Sequence, residues 1–298
     1  MNGELEYTEC DYCRHDNYKL LFIKNGFNIV KCSNCGLVYT NPRVHPASAP
    51  EIYNENYFKS RDSLITGYED YIKDRPTIEA TFRKRMKFIF KKAPSLASPK
   101  VHKLLDIGCA AGFLLNLFRN IGWEVQGIEL SAFAASYAAN ELRLRVHRGS
   151  LVSVNLPEGN YDLVTSWDVI EHSYNPRTDL SKIHRLLRSG GYLAIITPNR
   201  DSLHARLLGH KWVEYEKPEE HLYFFGKKNL ARILNESGFD VVAATTAGKY
   251  ISVSFMLGRL KSYSKIFGII SGIIPRNLGH EILYVNPFDK MFVLARKR

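Results

Sequence analysis

The apolar positions of this chain repeat with different periods in three successive regions. Between residues 18 and 32, YKLLFIKNGFNIVKC reads as two short strands around Asn25-Gly26, a dipeptide that suits a tight hairpin turn. Residues 41–51, NPRVHPASAPE, hold three prolines and read as an extended linker. Residues 52–75 are rich in tyrosine and polar groups. Helical spacing returns in PTIEATFRKRMKFIF, where Ile78, Phe82, Met86 and Ile89 or Phe90 recur at three- and four-residue steps behind Pro76. APSLASPK, 93–100, reads as a second linker, and no internal repeat is visible.

From residue 101 strands alternate with helices. VHKLLDIG is an apolar strand ending in an acid and a glycine, and GFLLNLFRNIG an amphipathic helix. WEVQGIEL and SAFAASYAANE form a second pair, and LRVHRGS a third strand. YDLVTSWDV is a fourth strand, followed by NPRTDLSKIHRLLRSGG, a helix expected to close at its two glycines. YLAIITPN, KKNLARILNESGF, DVVAATTAG and the final KMFVLARKR complete the series. The alternation predicts an α/β fold, a Rossmann-like parallel sheet wrapped on both faces. Ligands in such sheets bind beyond the carboxyl ends of the strands, at the switch point beside strand one.

Composition adds limits. The chain has 298 residues, 45% hydrophobic and 24% charged, which excludes a disordered or collagenous polymer and allows a core without disulfides. No secretory h-region precedes residue 20, and the longest apolar run, IFGIISGII, is too short to span a bilayer. A cytoplasmic location is expected, with peripheral membrane contact open. The net charge of +11 is uneven. Residues 73–103 hold ten basic and two acidic side chains, and residues 249–298 nine and two. Both regions either face water or meet an anionic partner.

Four of the five cysteines form a pattern: Cys10-x2-Cys13, eighteen residues, Cys32-x2-Cys35. Two intervening residues let one turn aim two thiolates at one point, and a hairpin brings two such knuckles together as a tetrahedral zinc site. Gly36 follows the second knuckle, where positive φ is useful. A zinc ribbon over residues 1–45 is expected. Two disulfides are the alternative. A closed four-thiolate shell has no open position, so the expected role is structural or docking.

Asp106-Ile-Gly108-Cys-Ala110-Ala-Gly112 joins the first α/β strand to its helix. Gly108 permits a sharp turn, and Gly112 lets a ligand approach the helix N-terminus. Glu129 ends the second strand twenty-three residues after Asp106, where a carboxylate can accept from both hydroxyls of a ribose. A nucleoside-containing ligand follows. A dinucleotide fits less well, because Ala110 and Phe113 stand where G-x-G-x-x-G would have glycine.

LLDIGCAAGFLL resembles the first motif of class I S-adenosylmethionine-dependent methyltransferases, and VQGIELS, YDLVTSWDVIEHSYNP and LLRSGGYLAIITPN continue the likeness. With CSNCGLVYTNP, IYNENYF and HKWVEYEKPEEHLYFF, the whole resembles a subfamily related to the ubiquinone-biosynthesis O-methyltransferase in which a four-cysteine ribbon precedes the catalytic domain. Sugar C-methyltransferases with an N-terminal zinc domain are a further relative. The resemblance implies a seven-stranded sheet with an antiparallel last strand, a methyltransferase domain over 101–298, linker and helices over 46–100, and an apolar basic insertion at 250–286. It implies S-adenosylmethionine and zinc as bound groups. Around the cofactor it places Asp106, Gly108, Ala110, Gly112 and Phe113 in the first loop and Glu129 and Leu130 after strand two. It adds Ser150 and Leu151 after strand three, and Trp167 and Asp168 at the end of strand four. Two departures stand out: many members have glycine at Ala110, and often an acid at Ser150. His221 resembles a histidine on the substrate side, and His172, beside Glu171, is the second candidate base. Cys109 reads as packing.

The expected function is methyl transfer to an oxygen or carbon of a small molecule, a sugar or polysaccharide, or a quinone-like metabolite. Residues 250–275 are apolar, basic and free of acids, suiting a pocket lid, a dimer contact or a membrane surface. The alternatives are an RNA methyltransferase using ribbon and basic helix, and a non-catalytic cofactor-binding scaffold. Nucleic acid is disfavoured because the aromatics of 52–71 are not interleaved with many basic residues.

Overall fold

A computed structural model of the chain describes residues 4–48, 70–256 and 281–298. The first part holds β1 (Leu5–Glu6), β2 (Tyr18–Lys24), β3 (Phe27–Cys32), β4 (Val38–Thr40) and β5 (Arg43–Val44). Asn25 and Gly26 both take positive φ, +47° and +85°, the turn that the dipeptide predicts for the β2–β3 hairpin. The expected linker at 41–51 is partly folded: β5 pairs antiparallel with β1, and a 3-10 turn covers Pro46–Ser48. The linker at 93–100 likewise holds a 3-10 turn, Pro94–Ala97, because Leu96 is buried against the core.

Helix α1 (Arg75–Lys92) starts with proline in its first turn and leads into the α/β region. There follow β6 (Lys103–Ile107), α2 (Phe113–Arg119), β7 (Glu124–Glu129), α3 (Ala132–Asn140), β8 (Val146–Arg148), β9 (Tyr161–Trp167), α4 (Pro176–Leu186) and β10 (Leu187–Pro198). The remainder is α5 (Leu203–Leu208), β11 (Tyr223–Phe224), α6 (Lys227–Glu236), β12 (Phe239–Thr246), β13 (Lys249–Ser252), β14 (Ile282–Val285) and β15 (Lys290–Lys297).

The seven-stranded sheet has the order β12-β15-β10-β9-β6-β7-β8, and β15 runs antiparallel to both neighbours. Central β9 is buried at every position, as a parallel strand covered on both faces must be. Alternate residues point to opposite faces. Leu105, Val164 and Leu193 pack with α4 and α6, while Leu104, Leu163 and Ala194 pack with α1 and α2.

Two features differ from expectation. Helix α4 stops at Leu186, and Gly190 and Gly191 lie inside β10. Leu187 pairs with Tyr161 and Tyr192 with Leu163, so the glycines form an irregularity in the ladder, with Gly190 at φ +69°. The ribbon's sheet is also completed from elsewhere: its order is β11-β4-β3-β2, with Tyr223 opposite Tyr39. The expected insertion at 250–286 begins and ends as the β13–β14 pair. Residues 257–280, which carry most of the anticipated membrane-contacting segment, lie outside the described residues. Among the described residues no helix is long and apolar enough to cross a membrane.

Candidate functional site

The knuckles bring four thiols together. Cys10 and Cys35 Sγ are 3.5 Å apart and Cys13 and Cys32 Sγ 3.4 Å, and all four lie within 4.8 Å of one another. A tetrahedron with zinc–sulfur bonds of about 2.3 Å has edges of about 3.8 Å, so the cluster fits that ion. Left-handed Arg14 and Gly36, φ +59° and +75°, close the two turns. The hydrogen bond between Cys10 and Cys35 pushes the Cys35 thiol down to about 5 and the Cys10 thiol up, so the pair shares one proton. Cys13→Ser is expected to reduce bound zinc from about one per chain to near none and to lower the thermal midpoint by at least about 5 °C, read by metal analysis and calorimetry.

The second centre is a cavity of about 650 Å³ at the carboxyl ends of the parallel strands. After β6 it is lined by Asp106, Gly108 and Ala110, and after β7 by Glu129 and Leu130. Gly149 to Ser153 line it after β8, and Trp167, Asp168 and His172 after β9. Phe82 and Arg85 of α1 form another wall, and Pro46 reaches it from the ribbon's tail. The first loop is tightly turned. Gly108 has φ +69°, and a Cβ there would meet Val169 Cγ2 at 2.5 Å. Ala110 is left-handed at φ +46°, a conformation that costs a non-glycine residue about 1–2 kcal/mol.

Glu129 is buried, and its two oxygens accept from separate backbone groups: Oε2 from Ala110 N at 2.8 Å and Oε1 from Ser131 N at 2.7 Å. Burial nevertheless raises its pKa. Asp106 accepts from Thr165 Oγ1 at 2.6 Å and is pushed up to about 7, by burial first and by the Glu129 charge. Asp168 is held below the usual carboxylate range, despite desolvation, by Lys290, whose Nζ lies 2.7 Å from Oδ1. Arg85 Nε and Trp167 Nε1 are both buried without a hydrogen-bond partner among the described residues, with the guanidinium 5.1 Å above the Trp167 ring. The cavity wall therefore carries the Asp106 and Glu129 carboxylates and the Arg85 guanidinium, which suits a ligand with both hydroxyls and an anionic group.

A model of the methyltransferase domain family matches residues 75–244, more than half of the chain. The chain belongs to this family. A probable S-adenosylmethionine-dependent methyltransferase of Mycolicibacterium smegmatis is 32% identical over 98 residues, covering 33% of this chain and 38% of that protein. The ubiquinone biosynthesis O-methyltransferase of Rhodopseudomonas palustris strain HaA2 is 30% identical over 157 residues, covering 46% of this chain and 62% of that protein. The chain thus spans less than two thirds of either relative. The fold of magnesium protoporphyrin IX methyltransferase from Synechocystis PCC 6803, solved with bound SAH, is similar. Its TM-score is 0.55 at 15% identity, over 85% of this chain and all of that one.

Within this methyltransferase domain, ten of the thirteen candidate residues outside the ribbon line the cavity and three do not. Gly112 caps α2 at φ +78°, where a Cβ would strike Leu144 and Ala138, so it serves helix packing. Phe113 is fully buried beneath Tyr71, stacked at 5.6 Å. His221 stands behind His172, with ring centroids 4.7 Å apart. His172 Nδ1 donates to the Glu220 carbonyl at 2.9 Å, and His221 Nδ1 to the Glu214 carbonyl at 2.9 Å. Cys109 is buried and packs against Gly127, as expected of a filler. Sequence reasoning missed Arg85, Glu171, Glu214 and Lys290. Glu171 is buried, accepts from Thr197 Oγ1 at 2.9 Å, and is pushed up to about 8 by burial and the Asp168 charge.

These buried groups set opposite pH slopes. Burial, helped by Lys290, drives His221 down to about 3, and burial with His221 drives His172 well below the histidine range. Below about pH 6.5 the unfolded chain takes protons that the native one refuses. Each histidine then removes up to about 1.4 kcal/mol of stability per pH unit as pH falls. Glu171 and Asp106, raised to about 8 and about 7, remove stability as pH rises from their unfolded values through those values. The two slopes cancel between about pH 4.5 and 6.5, so urea unfolding is expected to show a plateau there that falls away on both sides and that tilts downward with rising pH in His221→Gln.

Proposed function

We propose that the chain is an S-adenosylmethionine-dependent methyltransferase acting on an oxygen of a small acceptor of the quinone-precursor kind. The observation that carries the reading is Glu129, a buried carboxylate at the end of β7 on the cavity wall, oriented by Ala110 N–H and Ser131 N–H. Its remaining lone pairs suit the two hydroxyls of a ribose. Ser150 and Leu151, on the wall after β8, suit the adenine, and Asp106 with Gly108, on the wall after β6, suits the methionine portion. The Arg85 guanidinium on the cavity wall suits the carboxylate of that portion.

When bound, the cofactor supplies the methyl group and its sulfonium leaving group. The chain's own task is to position the acceptor and take its proton. His172 fits that task. Its Nδ1–H is engaged by the Glu220 carbonyl, so the neutral ring has Nε2 as its basic nitrogen. The choice of oxygen and of a quinone-like acceptor is supported by the Rhodopseudomonas palustris relative. The test pairs calorimetric binding of S-adenosylhomocysteine (SAH) with transfer of labelled methyl into fractionated extract. Micromolar binding and label in the organic-soluble pool are expected. Label confined to RNA or to a polysaccharide would overturn the acceptor class, and absence of SAH binding would overturn the activity.

A further inference from the structure

We propose that the four-cysteine ribbon is a positioning element of the cavity: with metal on its thiolates, Asp11 and Arg43 hold the wall Ser173–Asp179 in its ligand-binding geometry. Asp11 lies between Cys10 and Cys13, and it is buried. Its Oδ2 accepts from the backbone N of Arg177 at 2.9 Å, and Arg177 Nη1 donates back to the Tyr12 carbonyl at 3.1 Å. Arg177 is the second residue of α4, whose own N-cap, Asn175, makes no side-chain capping bond. The acceptor that a first helical turn needs thus comes from the knuckle, and a carboxylate there also meets the favourable end of the helix dipole. Asp179 of the same turn lines the cavity and accepts from Ser173 Oγ at 2.5 Å.

The other end of the wall is tied as well. Arg43 is buried, with Nε on Glu6 Oε1 at 2.8 Å and Nη1 donating to the Tyr174 carbonyl at 2.7 Å. Its guanidinium lies 5.0 Å from the centre of the Tyr174 ring. The second knuckle is anchored to α6, since the Cys35 carbonyl accepts from Arg232 Nη2 at 2.9 Å and Asn229 Nδ2 at 3.3 Å. A module built to dock a separate partner has no need of these bonds. Metal fixes the knuckle turn, the turn aims Asp11, and Asp11 caps the helix that carries the wall.

The test uses the full zinc-loaded chain, as wild type and as Asp11→Ala, Asp11→Asn and Arg43→Ala. It measures bound zinc, amide hydrogen exchange over 173–179, and SAH affinity. Asp11→Ala and Arg43→Ala are expected to speed exchange in that segment about tenfold and to weaken SAH binding by a similar factor. Asp11→Asn keeps an acceptor oxygen and is expected to restore most of both. Chelating zinc from the wild type is expected to speed the same exchange while β6 and β7 stay protected. Arg43 is outside the knuckle, so its variant decides the matter even where Asp11→Ala loses metal. Wild-type exchange over 173–179 in folded Arg43→Ala, or after zinc removal, would overturn the proposal. The affinity measurement rests on the cofactor reading, whereas the exchange measurement stands if the wild type fails to bind SAH.

Discussion

Glu129→Ala is expected to weaken SAH binding by at least about a hundredfold and to lower stability at the same time. The affinity loss comes from two hydrogen bonds between a charged acceptor and the ribose hydroxyls, each worth about 1.5–3 kcal/mol, where 1.4 kcal/mol is a factor of about ten. The stability loss has a different origin. Ala110 N and Ser131 N each donate to Glu129 in the native chain, and alanine leaves both without that acceptor. A buried donor without a partner costs about 1–3 kcal/mol. Removing a carboxylate whose pKa burial already raises returns part of that, so a net loss of about 2 kcal/mol is expected. Glu129→Gln separates the two effects. Its amide keeps one acceptor oxygen but sets an NH2 toward one backbone N–H, so it binds SAH with intermediate affinity. Calorimetric titration and urea unfolding read both quantities. An alanine variant that binds SAH within threefold of wild type would remove Glu129 from the ribose site.

The central sheet was legible because most of its strands keep apolar residues on both faces. KLLDI and YLAIIT read that way from the letters, whereas YDLVTSW carries Asp162, Thr165 and Ser166 and is nonetheless buried throughout. Glu129 was legible because an acid that ends such a strand has few reasons to be there. The Gly190-Gly191 pair was not. Glycines that close a helix and glycines that kink a strand look alike, and only the pairing of Leu187 with Tyr161 decides between them. Tyr223–Phe224 is a dipeptide whose strand character exists only against β4. Arg85 sat among ten basic residues over 73–103, which periodicity cannot rank. It is set apart by its place over Trp167 and its buried Nε. Lys290 opens an apolar last strand and reads as an ordinary exposed end, yet it meets Asp168. The two histidines were visible as candidates, and their order was not: His172 lines the cavity and His221 backs it.

That order gives the second large effect. His172→Ala is expected to lower turnover about a thousandfold while SAH affinity stays within about threefold, a loss in the range of a removed general base. The ring sits on the cavity wall, and its Nδ1–H donates to the Glu220 carbonyl, which makes Nε2 the basic nitrogen of the neutral ring. Burial and the neighbouring His221 keep the ring neutral well below the usual histidine range. The acid limb of the kcat/KM profile should therefore fall below pH 6.5 in wild type and vanish in His172→Ala. His221→Ala touches the reaction only through His172, by removing the edge contact and the electrostatic contribution of the second imidazole behind the ring. It is expected to lower turnover about tenfold and to move the acid limb upward, because the His172 pKa rises when that contribution is lost. A base and its support thus separate in the pH profile, although both variants lose rate. Full turnover in His172→Ala would mean that the acceptor arrives already ionised, and would leave positioning alone as the work of the site.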